Sequence, residues 1–202
     1  MALVTINRMR IPGGWKEGYV LDYHTVSSQF LGHDQFGHPQ FETKRSEIGE
    51  LLYKLKYKLD QSAIESIVET AAHFAKAFIK ARSLSLDFII PAPPSRERDF
   101  QPVFEIAKHL GATLGIPLLN DCINKIKDTP ELKDVYDYEE RTKLLEGAYS
   151  IAPDSMEGKN ILLFDDLYRS GATLNAITSI LYSTGKAANV YVLALTRTRS
   201  AS

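Results

Sequence analysis

Between Asn160 and Leu195 the chain alternates apolar runs with one apolar-periodic stretch, and this pattern leaves few folds open. "NILLFD" is short and almost continuously apolar, as a strand covered on both faces must be. Leu174, Ile177, Ile180 and Leu181 recur at helical spacing, and Gly185 ends that helix. "NVYVLAL" is a second buried strand. Strand, helix, strand predicts a βαβ unit and hence a parallel sheet in an α/β fold. Two parallel strands need a long crossover, and the crossover must cover the sheet.

The upstream sequence extends the same pattern. "LDFIIP" at 86–91 predicts a buried strand and "APPSRERDFQ" a loop. Pro102 suits a first helical position; Val103, Ile106, Ala107, Leu110 and Leu114 continue that helix, and Gly115 can cap it. Ile48, Leu51, Leu52 and Leu55 form one apolar stripe. "SAIE" at 62–65 has the form of a capping box opening another helix. "IPLLNDCINKI" predicts a weaker strand, and the charged segment 127–147 a mobile loop with one short helix. Residues 1–45 are irregular. There "GYVLDYHTVSS" is expected to pair with "LVTI", "FLGHDQFGHPQF" to be loop, and the terminal "RTRS" to fray. The chain thus divides into an N-terminal hood or appendage, 1–45, and an α/β domain, 46–202.

Composition sets the remaining bounds. The 202 residues are 44% hydrophobic and 24% charged, enough for one sizeable core. A net charge of −1 gives no basic footprint, so nucleic acid is not expected as a direct ligand. The single cysteine, Cys122, excludes an internal disulfide framework and a cysteine-cluster zinc site. No run approaches the ~18 apolar residues of a membrane span. A cytoplasmic protein with no membrane partner is expected.

The chemistry concentrates where "ILLFDDLYRSGAT" leaves its strand. Asp165 and Asp166 fall at the carboxyl end, where open α/β sheets bind ligands. Ser170, Gly171, Ala172 and Thr173 then turn into a helix. Exposed amides at a helix start bind phosphate, and Gly171 lets it approach. Two acids beside a phosphate make sense if they grip hydroxyls, a metal or a developing cation on the same ligand, the layout of a sugar phosphate. The plainer alternative is a strand-to-helix turn with Asp and Ser as ordinary caps. A nucleotide triphosphatase would need G-x-x-x-x-G-K-[ST], and neither Gly158-Lys159-Asn160 nor Gly185-Lys186-Ala187 supplies it.

The stretch resembles the 5-phosphoribosyl-1-pyrophosphate (PRPP) motif of type I phosphoribosyltransferases, without gaps. Within them the chain is most similar to the ComF-like phosphoribosyltransferases. "LLYKLKYKLD", "DFIIPAPPSRERDFQ" and "KIKDTPELKDVYDYEERTKLLEGAY" carry that resemblance over roughly residues 46–198. The paired cysteines that usually open ComF-like proteins are missing, and with them their zinc module. The resemblance implies a type I phosphoribosyltransferase fold, a mostly parallel central sheet flanked by helices with a small N-terminal hood. It implies transfer of a 5-phosphoribosyl group from PRPP to an acceptor that the sequence leaves open, with Mg²⁺ bound alongside PRPP and no metal ligands from the protein. A role in nucleotide metabolism and a homodimer belong to the same expectation. Asp165 and Asp166 would contact the ribose hydroxyls, and Arg169, Ser170, Gly171, Ala172 and Thr173 would wrap the 5-phosphate. Arg169 stands where several purine-salvage enzymes with this motif carry an acid.

The resemblance also assigns pyrophosphate contacts to Ser95, Arg96 and Arg98, in the loop after the first buried strand, and to Lys56. Guanidinium forks suit phosphate oxygens. Arg141 and Lys143 would belong to a flexible lid that closes over the diphosphate. For each of these the plain alternative is a solvated surface charge. A non-catalytic PRPP- or nucleotide-binding regulator acting through a protein partner is the second functional class. His24, His33 and His38, with Asp22 and Asp34, crowd the N-terminal region, but their spacing matches no metal motif, and loop histidines are expected.

Overall fold

The computed structural model describes residues 3–94, 100–127 and 138–199. Its centre is a five-stranded sheet in the order β1 (Met9–Arg10), β2 (Glu17–Tyr23), β9 (Asn189–Arg197), β8 (Asn160–Tyr168), β5 (Phe88–Pro91). β1 pairs antiparallel with β2, and every other pairing in this sheet is parallel. Side chains alternate along β8 with period two. Ile161 and Leu163 face the core around α5 (Ala172–Ser183), and Leu162 and Phe164 face the core under α1 (Glu47–Tyr57), α2 (Ala63–Arg82) and α3 (Pro102–Leu114). Both faces are covered, which is why the strand reads as an unbroken apolar run. Burying each such side chain contributes about 1.5–3 kcal/mol. This is the α/β arrangement expected, a mostly parallel sheet between helices.

The N-terminal segment differs from its expected role. β1 and β2 belong to the central sheet, and Val20 and Leu21 are fully buried in its two cores. A boundary at residue 45 therefore cuts through the sheet. "LVTI" does not pair with β2; it lies against helices, with the Val4 amide donating to Thr70 Oγ1 (3.2 Å) and the Thr5 amide to Glu47 (2.9 Å). What stands apart is a hairpin, β3 (Thr25–His33) and β4 (Pro39–Arg45). The "FLGHDQFGHPQF" segment expected as loop supplies much of it. Its Asp and Gly form the tight turn, where Asp34 Oδ1 accepts from the Phe36 and His38 amides at 2.8 and 2.9 Å.

Local signals at the helix ends were partly overridden. Ser46 caps α1, accepting from the Gly49 amide at 3.0 Å and donating to the Tyr23 carbonyl. Ser62 forms no capping box; its hydroxyl donates instead to Asp60 Oδ1 at 2.6 Å. We therefore predict that Ser46→Ala lowers stability by about 1–2 kcal/mol while Ser62→Ala changes it by less than about 0.5 kcal/mol. Urea unfolding of the two variants checks this, and equal losses would contradict it. Pro102 opens α3, and Gly115 closes it at φ +69°. The weaker strand shrinks to β6 (Ile123–Lys125), paired antiparallel with β7 (Tyr149–Ile151), and Leu118 forms a lone parallel bridge to Ile89. The short helix expected in the charged segment is α4 (Tyr138–Leu145). Arg197 ends β9 rather than fraying, and the Thr198 amide donates to the Tyr168 carbonyl at 3.0 Å.

Candidate functional site

β8 runs through both acids to Tyr168, two residues beyond Asp166. Because the strand continues, Asp165 and Asp166 point to opposite faces of the sheet. Asp166 lies on the α1 face, where Lys56 Nζ meets its Oδ2 at 2.8 Å. Asp165 lies on the α5 face near Tyr149, and its Oδ1 accepts from the Asp166 amide at 2.8 Å. The two carboxylates therefore straddle the carboxyl edge of the sheet.

The turn beyond them builds a cradle. Gly171 stands at the N-cap of α5 with φ +81°, a conformation that L side chains rarely adopt. A Cβ at that position would sit 2.9 Å from the Tyr168 ring. The first-turn amides of a helix lack intrahelical acceptors and suit an anion. Arg141, only 8% exposed, reaches in from α4 and donates to Ser170 Oγ at 3.1 Å. Arg141, Asp165, Ser170, Gly171 and Thr173 are among the residues that line a cavity of about 80 Å³.

The electrostatics are graded across the edge. Burial, and then the neighbouring Asp166, push Asp165 up to about 7, against the opposing pull of backbone amides and Lys56. Burial, then Asp165, push Tyr149 up to about 12, while its hydrogen bond with Thr173 pulls the other way. Burial and the nearby Arg169 lower Arg141. Burial, then Lys56 and Arg45, lower His24, which keeps that imidazole neutral near neutral pH. His24 Nδ1 lies 3.4 Å from Thr196 Oγ1, which donates to the Asp166 carbonyl at 3.1 Å.

Of the residues expected to act together, the structure sets Arg141, Asp165, Arg169, Ser170, Gly171, Ala172 and Thr173 around one cavity, while Asp166 meets Lys56 on the other face of the sheet edge. Lys56 points at an acid rather than standing free for pyrophosphate. Arg169 is exposed on the loop, and Lys143 faces solvent on α4 away from the cavity. Ser95, Arg96 and Arg98 lie outside the described residues. Tyr149 and His24 are additions. Neither carries a motif: Tyr149 arrives through the β6–β7 ladder, and His24 through the parallel pairing of β2 with β9. Among the described residues no group of three or more His, Cys, Asp or Glu could hold a metal. With Asp166 already paired to Lys56, this edge suits a cation held mainly by ligand oxygens and water. No described helix is long and apolar enough to cross a membrane.

No protein-family model matches the sequence. The chain is 33% identical over 131 residues to the competence protein ComFC of Bacillus subtilis, a match covering 61% of this chain and 50% of ComFC, so the chain spans about half the length of that relative. Among solved structures it is similar to adenine phosphoribosyltransferase from Leishmania tarentolae, with TM-score 0.45, 11% identity and 94% of each chain covered. It is also similar to adenine phosphoribosyltransferase from Saccharomyces cerevisiae, with TM-score 0.44, 14% identity, and 84% of this chain and 85% of the other covered. Superpositions this loose add nothing to the local geometry; the likeness rests on the sequence match to ComFC and the acid-plus-loop motif. The chain thus resembles ComFC over much of its length, and its mostly parallel central sheet between helices is an α/β fold.

Proposed function

We propose that the chain binds PRPP with Mg²⁺ and transfers its 5-phosphoribosyl group to a nitrogen acceptor, releasing pyrophosphate. One observation carries this: the strand bearing Asp165 and Asp166 runs directly into a helix N-terminus whose Ser170 hydroxyl is gripped by a buried arginine. The α5 turn would take the 5-phosphate, with Arg141 as a second donor from above. The two carboxylates, one on each side of the sheet edge, would accept the ribose hydroxyls. As C1 parts from pyrophosphate, positive charge spreads over the ribose ring, and nearby carboxylates stabilise it. When bound with PRPP, Mg²⁺ would supply charge neutralisation to the leaving pyrophosphate. Tyr149, kept protonated by its surroundings, would hold Thr173 in place rather than move a proton. A cytoplasmic location and a homodimer form part of the same proposal.

The test is pyrophosphate release from PRPP and Mg²⁺ across a panel of bases. Release that depends on one acceptor is the expected result. Tight PRPP binding without release would favour the second reading, a PRPP- or nucleotide-binding regulator that acts through a protein partner. The Lys56–Asp166 ion pair is the observation behind that alternative, since it already occupies one acid.

Arg169 narrows the acceptor. An arginine stays cationic near neutral pH and cannot serve as a carboxylate base. Hypoxanthine and guanine are therefore expected to be poor acceptors. Chromatography of reactions with PRPP, Mg²⁺ and each purine should show no efficient formation of inosine or guanosine monophosphate; rapid formation would refute this role for the loop.

A further inference from the structure

Lys56 lies in the last turn of α1, at the carboxyl edge of the sheet. Its ammonium is 2.8 Å from Asp166, with the two side chains only 18% and 13% exposed. Lysine gives up hydration reluctantly, so this degree of shielding calls for a reason. No other cation is paired with Asp166 among the contacts of the described residues, and Arg169 lines the α5-turn cavity. Arg45 reaches Glu50 at 3.4 Å and lies 3.7 Å over the Tyr53 ring, Arg141 donates to Ser170, and Arg169 is exposed. A sugar phosphate entering the α5 turn meets two carboxylates a few residues away, and like charges in a shielded cleft repel strongly.

We propose that Lys56 is the resident counter-cation of the acidic pair, holding Asp166 as an oriented hydroxyl acceptor and letting the cleft admit a ribose 5-phosphate group with no divalent cation at the acids. This rests on the reading that the α5 turn takes a 5-phosphate. It moves Lys56 from the pyrophosphate end of the ligand to the ribose end. It also ties the hairpin to the site, because α1 follows β4 directly and Ser46 anchors their junction to the Tyr23 carbonyl.

The charged and titratable groups near the Lys56–Asp166 pair are Asp165 on β8, His24 after β2, Arg45 at the end of β4 and Arg169 in the loop, with Tyr149 on β7 beside Asp165 on the other face. Calorimetric titration with ribose 5-phosphate in EDTA, then with added Mg²⁺, tests the proposal on wild type, Lys56→Met, Lys56→Gln and Lys56→Arg. Wild type should bind in EDTA and gain less than about twofold from Mg²⁺, whereas Lys56→Met and Lys56→Gln should bind about tenfold more weakly at about pH 8 and recover most of that with Mg²⁺. Their deficit relative to wild type should also shrink at about pH 5.5, where protonation of Asp165 relieves the repulsion. Lys56→Arg should stay within about threefold of wild type. Neutral variants that match wild type in EDTA would overturn the proposal. So would a loss that neither Mg²⁺ nor acid restores, which would make Lys56 a direct ligand contact. A wild-type protein that binds neither ribose 5-phosphate nor PRPP would remove the underlying reading and this proposal with it.

Discussion

Asp165→Asn combined with Asp166→Asn should weaken Mg²⁺–PRPP binding by about 2–5 kcal/mol, because two charged acceptors are lost from the ribose. The same change should not unfold the protein, and the pH dependence has a definite sign. Asp165 titrates higher in the folded chain than in an unfolded one, mainly through burial. The folded state therefore binds more protons than the unfolded state between about pH 4 and about pH 7, and wild-type stability falls as pH rises through that window. Asp165→Asn alone removes this penalty. It should be more stable than wild type by about 1–2 kcal/mol at about pH 8, with the advantage vanishing below about pH 4. Calorimetric titration gives the affinity and urea unfolding at the two pH values gives the stability. Unchanged PRPP affinity in the double variant would show that the acids do not hold the ribose. A stability gain of the same size at both pH values would show that Asp165 is not electrostatically strained.

Gly171→Val should abolish binding of ribose 5-phosphate as well as PRPP. Two causes act together. The position requires φ +81°, which a β-branched residue adopts only at a cost of about 2 kcal/mol or more. Its Cβ would also press on the buried Tyr168 ring. The loop must open, and the anion cradle opens with it. Gly171→Ala meets the same φ and the same ring but adds less bulk, so an intermediate loss is expected. Circular dichroism establishes folding, and titration with ribose 5-phosphate reads the effect. A folded valine variant that binds normally would place the phosphate elsewhere in the molecule.

The parallel sheet was legible because burial on both faces leaves an unmistakable local trace. "NILLFD", "NVYVLAL" and "LDFIIP" are apolar without alternation, and each is a central-sheet strand. The loop was equally legible, since Gly171 and its hydroxyl neighbours form one contiguous stretch whose geometry is fixed by nearest-neighbour sterics. Where local preference met competition it misled: the Ser62 hydroxyl turned to Asp60, and the Gly and Asp of 32–37 turned a hairpin rather than a loop. The N-terminal boundary failed for a related reason, as β2 finds its partner 174 residues away in β9. No window of sequence reports a pairing of that span. The same holds for the site's second half. The adjacency of Asp165 and Asp166 is a sequence fact, but their division between two faces follows from the strand continuing to Tyr168. Lys56, Arg141, Tyr149 and His24 come from four other places in the chain, and only the packed sheet edge brings them to the acids. Covalent neighbours wrote the strand-to-helix turn at Gly171 into the sequence; the charges that surround it depend on contacts that form only when the chain is folded.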